Sequence, residues 1–274
     1  MGTSKSYGGP AGRNPLLPPG APPPLEDGRP EPLPGQEDEQ PTWAAVKSAM
    51  TRLVTSSLQG ASARPTIGSI GSRFVAAQGG ARGAARASAA GRRSAAKLGA
   101  FLGQIASGGS AAAFNALHVG LQAGRPVEAI LADLLEAMAP VGPGLEDSIA
   151  RMAMSKTLEE LLEKALLADD LASLDNMSEA DAIGALERFL SHYISTQLMQ
   201  RLSDRIEANS PNAARAHAIE RDIKLYIADL VKIDVTALNS LPGGVLAVDW
   251  SGAEGRAFVD RIFVDAYALV AEEG

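Results

Sequence analysis

The residues best placed to do chemistry stand at the head of the chain, Met1-Gly2-Thr3-Ser4-Lys5-Ser6-Tyr7-Gly8-Gly9-Pro10. Removal of the initiator methionine leaves Gly2 with a free α-amine. Such an amine has a reference pKa near 7.7 to 8.0, so about a tenth of it is an uncharged nucleophile at pH 7. Having no side chain, Gly2 can enter a narrow pocket that excludes most residues. The chemistry on offer is nucleophilic attack by that amine. Gly2 and Ser6 also satisfy the myristoylation pattern, which is short and often met by chance.

Other chemistries find little support. The chain has no cysteine, which excludes thiolate catalysis and a disulfide framework and disfavours most zinc sites. His118, His192 and His217 lie far apart and in no ligand spacing; His192 and His217 read as helix-surface or helix-packing residues. The glycines at Gly68, Gly71, Gly79, Gly80, Gly103, Gly108 and Gly109 never precede the Gly-Lys-Ser/Thr element of a phosphate loop. Asp169, Asp170, Asp175, Glu179 and Asp181 crowd around Asn176 without the order of an EF-hand. No serine is set beside a base in a recognisable arrangement. The expectation is a protein that is not an enzyme, with no metal and no intrinsic cofactor. Asp249-Trp250, shortly before Gly252, is the most distinctive cluster of the later chain. It reads as a cap with a packing anchor, or as part of a partner groove and hence a candidate docking point.

The elements that must carry these residues differ sharply in composition. Residues 1–41 read as a flexible tail dominated by proline, glycine and acid, including Pro18-Pro19 and Pro22-Pro23-Pro24. Proline favours extended polyproline II, so thirty such residues at about 3.1 Å each can span on the order of 90 Å. Leu16 and Leu17 form a candidate docking anchor within it. Residues 42–108 read as a basic Ala/Gly/Arg-rich helical segment, and residues 109–274 as an acidic helical body. From Pro41 to Val127 there is no Asp or Glu but ten basic residues; from Glu128 onward there are twelve basic and twenty-six acidic residues. The net charge of −7 therefore conceals a polar molecule. The arginines, notably Arg82, Arg86, Arg92 and Arg93, can meet nucleic acid phosphates, an acidic protein partner or the acidic body of the same chain. No base-reading motif accompanies them. No run of eighteen apolar residues and no continuous signal-peptide core is present, so no membrane association and a cytoplasmic location are expected.

Periodicity predicts an all-α fold, an irregular helical bundle behind a long disordered Pro/Gly-rich N-terminal tail. Trp43 to Leu58 reads as a helix capped by Thr42, with Trp43, Val46, Met50, Leu53 and Val54 along one face. Gly60 to Gly71 reads as a turn-rich connection. Arg73 to Gln104 reads as one interrupted helix or two short ones, broken at Gly79-Gly80. Ser110 is expected to cap a helix to about Leu121, and Pro126 to open another that buries Val127, Ile130, Leu131, Leu134 and Leu135 and stops at Pro140 to Gly144. Thr157-x-x-Glu160 and Ser178-x-x-Asp181 resemble capping boxes, and Ser210-Pro211 a cap followed by an N1 proline. Leu186, Leu190, Ile194, Leu198, Leu202 and Ile206 form a seam; Ile219, Ile223, Ile227 and Leu230 repeat it, which predicts an antiparallel hairpin. After a turn at Ser240 to Gly244, Val245 to Val248 is a brief strand or a lead-in to a final helix holding Phe258, Ile262, Phe263 and Leu269.

The opening Met1-Gly2-Thr3-Ser4-x-Ser6-Tyr7-Gly8-Gly9-Pro10, followed by Leu16-Leu17-Pro18, resembles the QatB family of the bacterial Qat anti-phage defence system. The likeness is strong over about the first twenty residues and general thereafter. It implies a non-enzymatic component beside an ATPase, a QueC-like enzyme (QatC-type) and a TatD-like nuclease. It further implies that the Gly2 amine accepts a deazapurine activated by the QueC-like enzyme, with Thr3, Ser4, Ser6, Tyr7, Gly8, Gly9 and Pro10 forming the recognition peptide 2–10. ATP, zinc and the deazapurine belong on that enzyme. The remaining readings are a purely structural adaptor and a nucleic-acid-binding subunit.

Overall fold

The computed structural model describes residues 43–56, 60–120, 125–167, 171–233 and 244–272, all within one compact unit, Glu39–Gly274. Thr42, the tail and its recognition peptide lie outside them. Among the described residues every regular element is helical, and no strand occurs.

Helix α1, Trp43–Thr55, buries the face the sequence marks, Val46, Met50, Leu53 and Val54. Trp43 meets Phe74 edge-on, with centroids 5.8 Å apart, and carries the Arg201 guanidinium 4.5 Å above its ring. The expected turn-rich stretch at Gly60 to Gly71 is instead a short 3-10 turn, Gly60–Ala63, and then α2, Arg64–Ala76. Two facts override the glycine signal. Pro65 sits in the first turn, where its missing N–H costs nothing, and Ile67, Ile70 and Phe74 share a buried face. Gly71 is a contact point; a Cβ there would lie 3.0 Å from Val270 Cγ1.

The chain breaks at Gly79 and Gly80, as expected, with φ of +86° and +76°. Helix α3, Gly80–Ala87, follows, and a second break at Ser88 separates it from α4, Ala89–Ala116. Helix α4 is kinked at Gly109, whose φ of +81° and ψ of 167° only glycine adopts freely. The helical run restarts there, but the Ser110 side chain is not its cap. The Asp175 carboxylate accepts the Ser110 N–H at 2.6 Å from a distant element.

Helix α5, Val127–Met138, begins directly after Pro126 and buries Ile130 and Leu134. Helix α6 is Leu145–Leu167. The capping box read at Thr157 is wrong, because Thr157 lies inside α6, fully buried, its hydroxyl donating to the Ala153 carbonyl at 2.8 Å. That back-bond satisfies the hydroxyl inside a helix and removes any need for a helix start there. The box at Ser178 is real. Asp181 N–H donates to Ser178 Oγ at 3.2 Å and Ser178 N–H to Asp181 Oδ2 at 2.9 Å, opening α7, Glu179–Asn209, after a 3-10 turn, Leu171–Asn176.

The full seam from Leu186 to Ile206 is buried, placing α7 at the centre of the bundle. Helix α8, Ala213–Leu230, returns along α7 as the expected hairpin. Its cap is Asn212, whose Oδ1 accepts the Arg215 N–H at 2.8 Å; Ser210 instead ends α7. The Val245 to Val248 stretch holds a 3-10 turn, Val245–Ala247, in place of a strand, and leads to α9, Ala253–Glu272. Helix α9 packs on α2, α3 and α4, closing the bundle around Phe258, Ile262, Phe263 and Tyr267.

Candidate functional site

Gly2, Thr3, Ser4, Ser6, Tyr7, Gly8, Gly9, Pro10, Leu16 and Leu17 lie outside the described residues, so the geometry bears on the sites of the helical body. At the corner before α9, Asp249 is exposed and its Oδ1 accepts three bonds, from Ser251 N–H at 3.1 Å, Ser251 Oγ–H at 2.7 Å and Gly252 N–H at 3.1 Å. The Ser251 hydroxyl and the Gly252 amide hold this carboxyl below the usual range. Trp250 is buried with its ring on the backbone of α4. A Cβ at Gly99 would stand 2.4 Å from the indole, and Phe258 meets it edge-on at 5.6 Å. The Trp250 Nε1–H has no hydrogen-bond partner among the described residues. The pair thus fastens the entry of α9 to α4.

The four arginines divide. Arg92 pairs with Asp260 of α9, and Arg93 Nη2 lies 3.3 Å from Asp147 of α6. Lys97 Nζ donates to the Ala137 carbonyl at 2.8 Å, and Arg64 pairs with Asp229 at 2.9 Å. Arg82 and Arg86 are exposed one turn apart on α3, with no ion-pair partner among the described residues. Much of the positive charge between Pro41 and Val127 is therefore set against the acidic region of the same chain.

Of the acidic cluster around Asn176, Asp169 and Asp170 lie outside the described residues, and the other three anchor backbone amides. Asp175 holds Ser110, Asp181 closes the capping box, and Glu179 Oε1 accepts the Val245 N–H at 2.7 Å. The Ser110 bonds lower the Asp175 pKa and the Ser178 bonds lower that of Asp181. Among the described residues no three His, Cys, Asp or Glu side chains gather as metal ligands.

Two arrangements escaped the sequence reading. The first is a polar knot at the N-terminus of α4. Glu146 accepts the Ala90 and Gly91 N–H groups at 2.7 and 3.0 Å and the Tyr193 hydroxyl at 2.6 Å. A carboxylate facing the first free amides of a helix is favoured by their partial positive charge. Nearby, the Tyr267 hydroxyl donates to Gln197 Oε1 at 2.8 Å and lies 2.8 Å from Ser88 Oγ. Burial, first among the causes, pushes both tyrosine pKa values up.

The second is a groove of about 690 Å³ between α6, α7 and α8. His192 Nε2 lies 2.9 Å from Glu160 Oε1 at its floor, and His217 stands on the α8 wall. Burial holds the His192 imidazole below its ordinary pKa of 6.5, against the opposing pull of Glu160. The Ser195 hydroxyl donates to the His192 carbonyl at 3.1 Å and not to the imidazole, so the imidazole does not activate Ser195. The groove's signal in the sequence was a stripe of small and polar residues at helical spacing, Gly184, Arg188, Ser191 and Ser195 on α7 and His217, Arg221, Lys224 and Ala228 on α8.

No helix among the described residues is long and apolar enough to cross a membrane. No curated protein and no solved structure matches the chain. Residues 79–270 match the family model described as QatB, Qat anti-phage system associated protein. That span takes in α3 through α9, most of the chain, and the protein belongs to the QatB family.

Proposed function

We propose that this QatB family member is a non-enzymatic, cytoplasmic defence component that docks a QueC-like enzyme through its helical body and presents Gly2 for modification. The observation that carries the reading is the opening, a glycine amine and a small-residue peptide ending in Gly8-Gly9-Pro10 at the head of a proline-rich stretch. The family match at residues 79–270 supports it from a different part of the chain, since the resemblance of the opening rests on the first twenty residues.

In this reaction the enzyme uses ATP to convert a deazapurine carboxylate to an acyl adenylate, releasing pyrophosphate. The uncharged Gly2 amine attacks the acyl carbon. An amide bond forms, AMP leaves, and the amine's proton passes to a base of the enzyme. The chain supplies only the nucleophile, and the enzyme supplies the activation and any zinc. Tyr7 fills an aromatic-accepting pocket and Gly8-Gly9 permits a sharp bend into it. The ATPase and the TatD-like nuclease are the further partners of the assembly.

Intact-mass measurement of the chain from cells carrying the whole gene neighbourhood tests this. The expected result is loss of Met1 and a mass increment on Gly2 that disappears when the QueC-like enzyme is inactivated. An unmodified Gly2 beside an active enzyme defeats the proposal, and co-purification of that unmodified chain would favour a structural adaptor. The exposed Arg82 and Arg86 support a second reading, salt-sensitive nucleic-acid binding, which gel retardation of the R82A/R86A variant checks.

A further inference from the structure

The groove between α6, α7 and α8 carries an inference that does not depend on the fate of Gly2. From Glu128 onward the chain is strongly acidic, with twelve basic residues against twenty-six acidic ones. Five of those twelve, Lys156, Arg188, Arg221, Lys224 and Lys232, line this one groove. Helices α6, α7 and α8 and the segment just past α8, where Lys232 stands, bring them together.

Their pairing is incomplete. Lys232 reaches Glu187 at 3.4 Å, Arg188 lies 3.8 Å from Glu160, and Arg221 lies 3.9 Å from its neighbour Asp222. Lys156 and Lys224 are exposed and have no ion-pair partner among the described residues. Leu225, 55% exposed, stands on the same wall as Lys224. An exposed leucine between lysines suits an amphipathic segment better than a bare anion.

The interleaved acids argue the class of occupant. Glu160, Glu187 and Glu220 sit among the cations, and a phosphate chain or nucleic acid backbone laid along the groove would meet them with repulsion. A peptide has spaced charges and its own N–H donors, so it can place carboxylates on Lys156 and Lys224 and pass the glutamates by. We propose that the α6–α7–α8 groove is a docking site for an acidic peptide segment of a protein partner, anchored by an apolar side chain on Leu225.

Fluorescence anisotropy with the full-length chain and a fluorescein-labelled peptide of repeated Glu-Ser-Leu-Gly units tests the assignment. Saturable binding that weakens with added salt is expected. The K156E/K224E variant should lose at least about tenfold in affinity, because each reversal sets like charges face to face. Both lysines are exposed, so thermal melting by circular dichroism should match that of the parent chain. The L225S variant provides an independent arm, with a loss of about fivefold expected from removing the apolar anchor. The proposal is overturned by any of four results: no binding by the parent chain, equal binding by the lysine variant, displacement of the peptide by inorganic triphosphate, or a loss of binding confined to an R82E/R86E variant.

Discussion

The two longest helices, α4 and α7, hold the core together by different means. Helix α7 brings its own bulk. Phe189, Leu190, Tyr193, Ile194 and Leu198 are all buried, and its neighbours pack around them. Helix α4 buries fewer large side chains and adds its backbone as a packing surface. Gly91 receives the Tyr193 ring and Gly99 the Trp250 indole, each so close that a Cβ would fall 2.6 or 2.4 Å from ring carbons. Both helices are sensitive to losing atoms, and α4 is sensitive to gaining them as well, at Gly91 and Gly99. An Ala/Gly/Arg-rich stretch looks weakly hydrophobic by itself, yet α4 buries Leu98, Phe101, Leu102 and Ile105 and seats two rings from elsewhere.

Truncating the supplier should do the most damage. Phe189→Ala removes a fully buried ring stacked at 6.2 Å on Tyr193, and a loss of about 3–5 kcal/mol in urea unfolding is expected. A much smaller loss would mean that α7 is not the rigid centre. Next comes the knot that joins the two helices. Glu146→Leu strands the amides of Ala90 and Gly91 and the Tyr193 hydroxyl, and about 3 kcal/mol should be lost. Tyr193→Phe, which removes one donor and leaves Glu146 with its two amides, should cost only about 1 kcal/mol.

Addition to the receiver is a finer probe. In an open helix Gly→Ala gains up to about 1 kcal/mol from propensity. At Gly99 the new methyl meets the indole, so a net loss of about 2 kcal/mol is expected, visible as a lower denaturant midpoint. A stabilised Gly99→Ala variant would dissolve the contrast between the helices. The smallest effect concerns pH. Burial keeps His192 below 6.5 in the fold, so the unfolded chain takes up its proton first as pH falls. Stability is full above that value and declines as pH drops through it toward the lower folded pKa. Denaturant midpoints between about pH 7.5 and about pH 5.5 should show this slope, and His192→Gln should flatten it.

The same contrast explains what could be read in advance. The α7 seam, the α7–α8 hairpin and the box at Ser178 announced themselves because large apolar residues at helical spacing and a local cap leave a mark in consecutive positions. Residues 60–71 were misread because a glycine such as Gly71 looks the same in sequence whether it serves a turn or a close contact, and only the presence of Val270 selects the latter. Ser110 and Ser210 failed as caps for a related reason. The groups that satisfy those helix starts are Asp175, 65 residues away, and Asn212, two positions further along. Thr157 failed because a threonine hydroxyl can be satisfied within a helix as well as at its start.

The candidate sites show the same division. Arg82, Arg86, Arg92 and Arg93 were visible as a charge block, but which of them meets an acid depended on where α6 and α9 lie. The groove of Lys156, Lys224 and Leu225 left only separate stripes on α7 and α8 in the sequence, since three helices that only folding brings side by side assemble it.

Sequence by itself determined the helical class, the absence of thiol chemistry, the charge asymmetry and the Gly2 opening, because each follows from residue types or from neighbours within a few positions. Tertiary structure alone decided which glycines receive rings, which carboxylates cap distant helices and which cations share a groove. Those outcomes rest on contacts across tens to hundreds of residues, where close packing and the need to satisfy buried polar groups fix the partners.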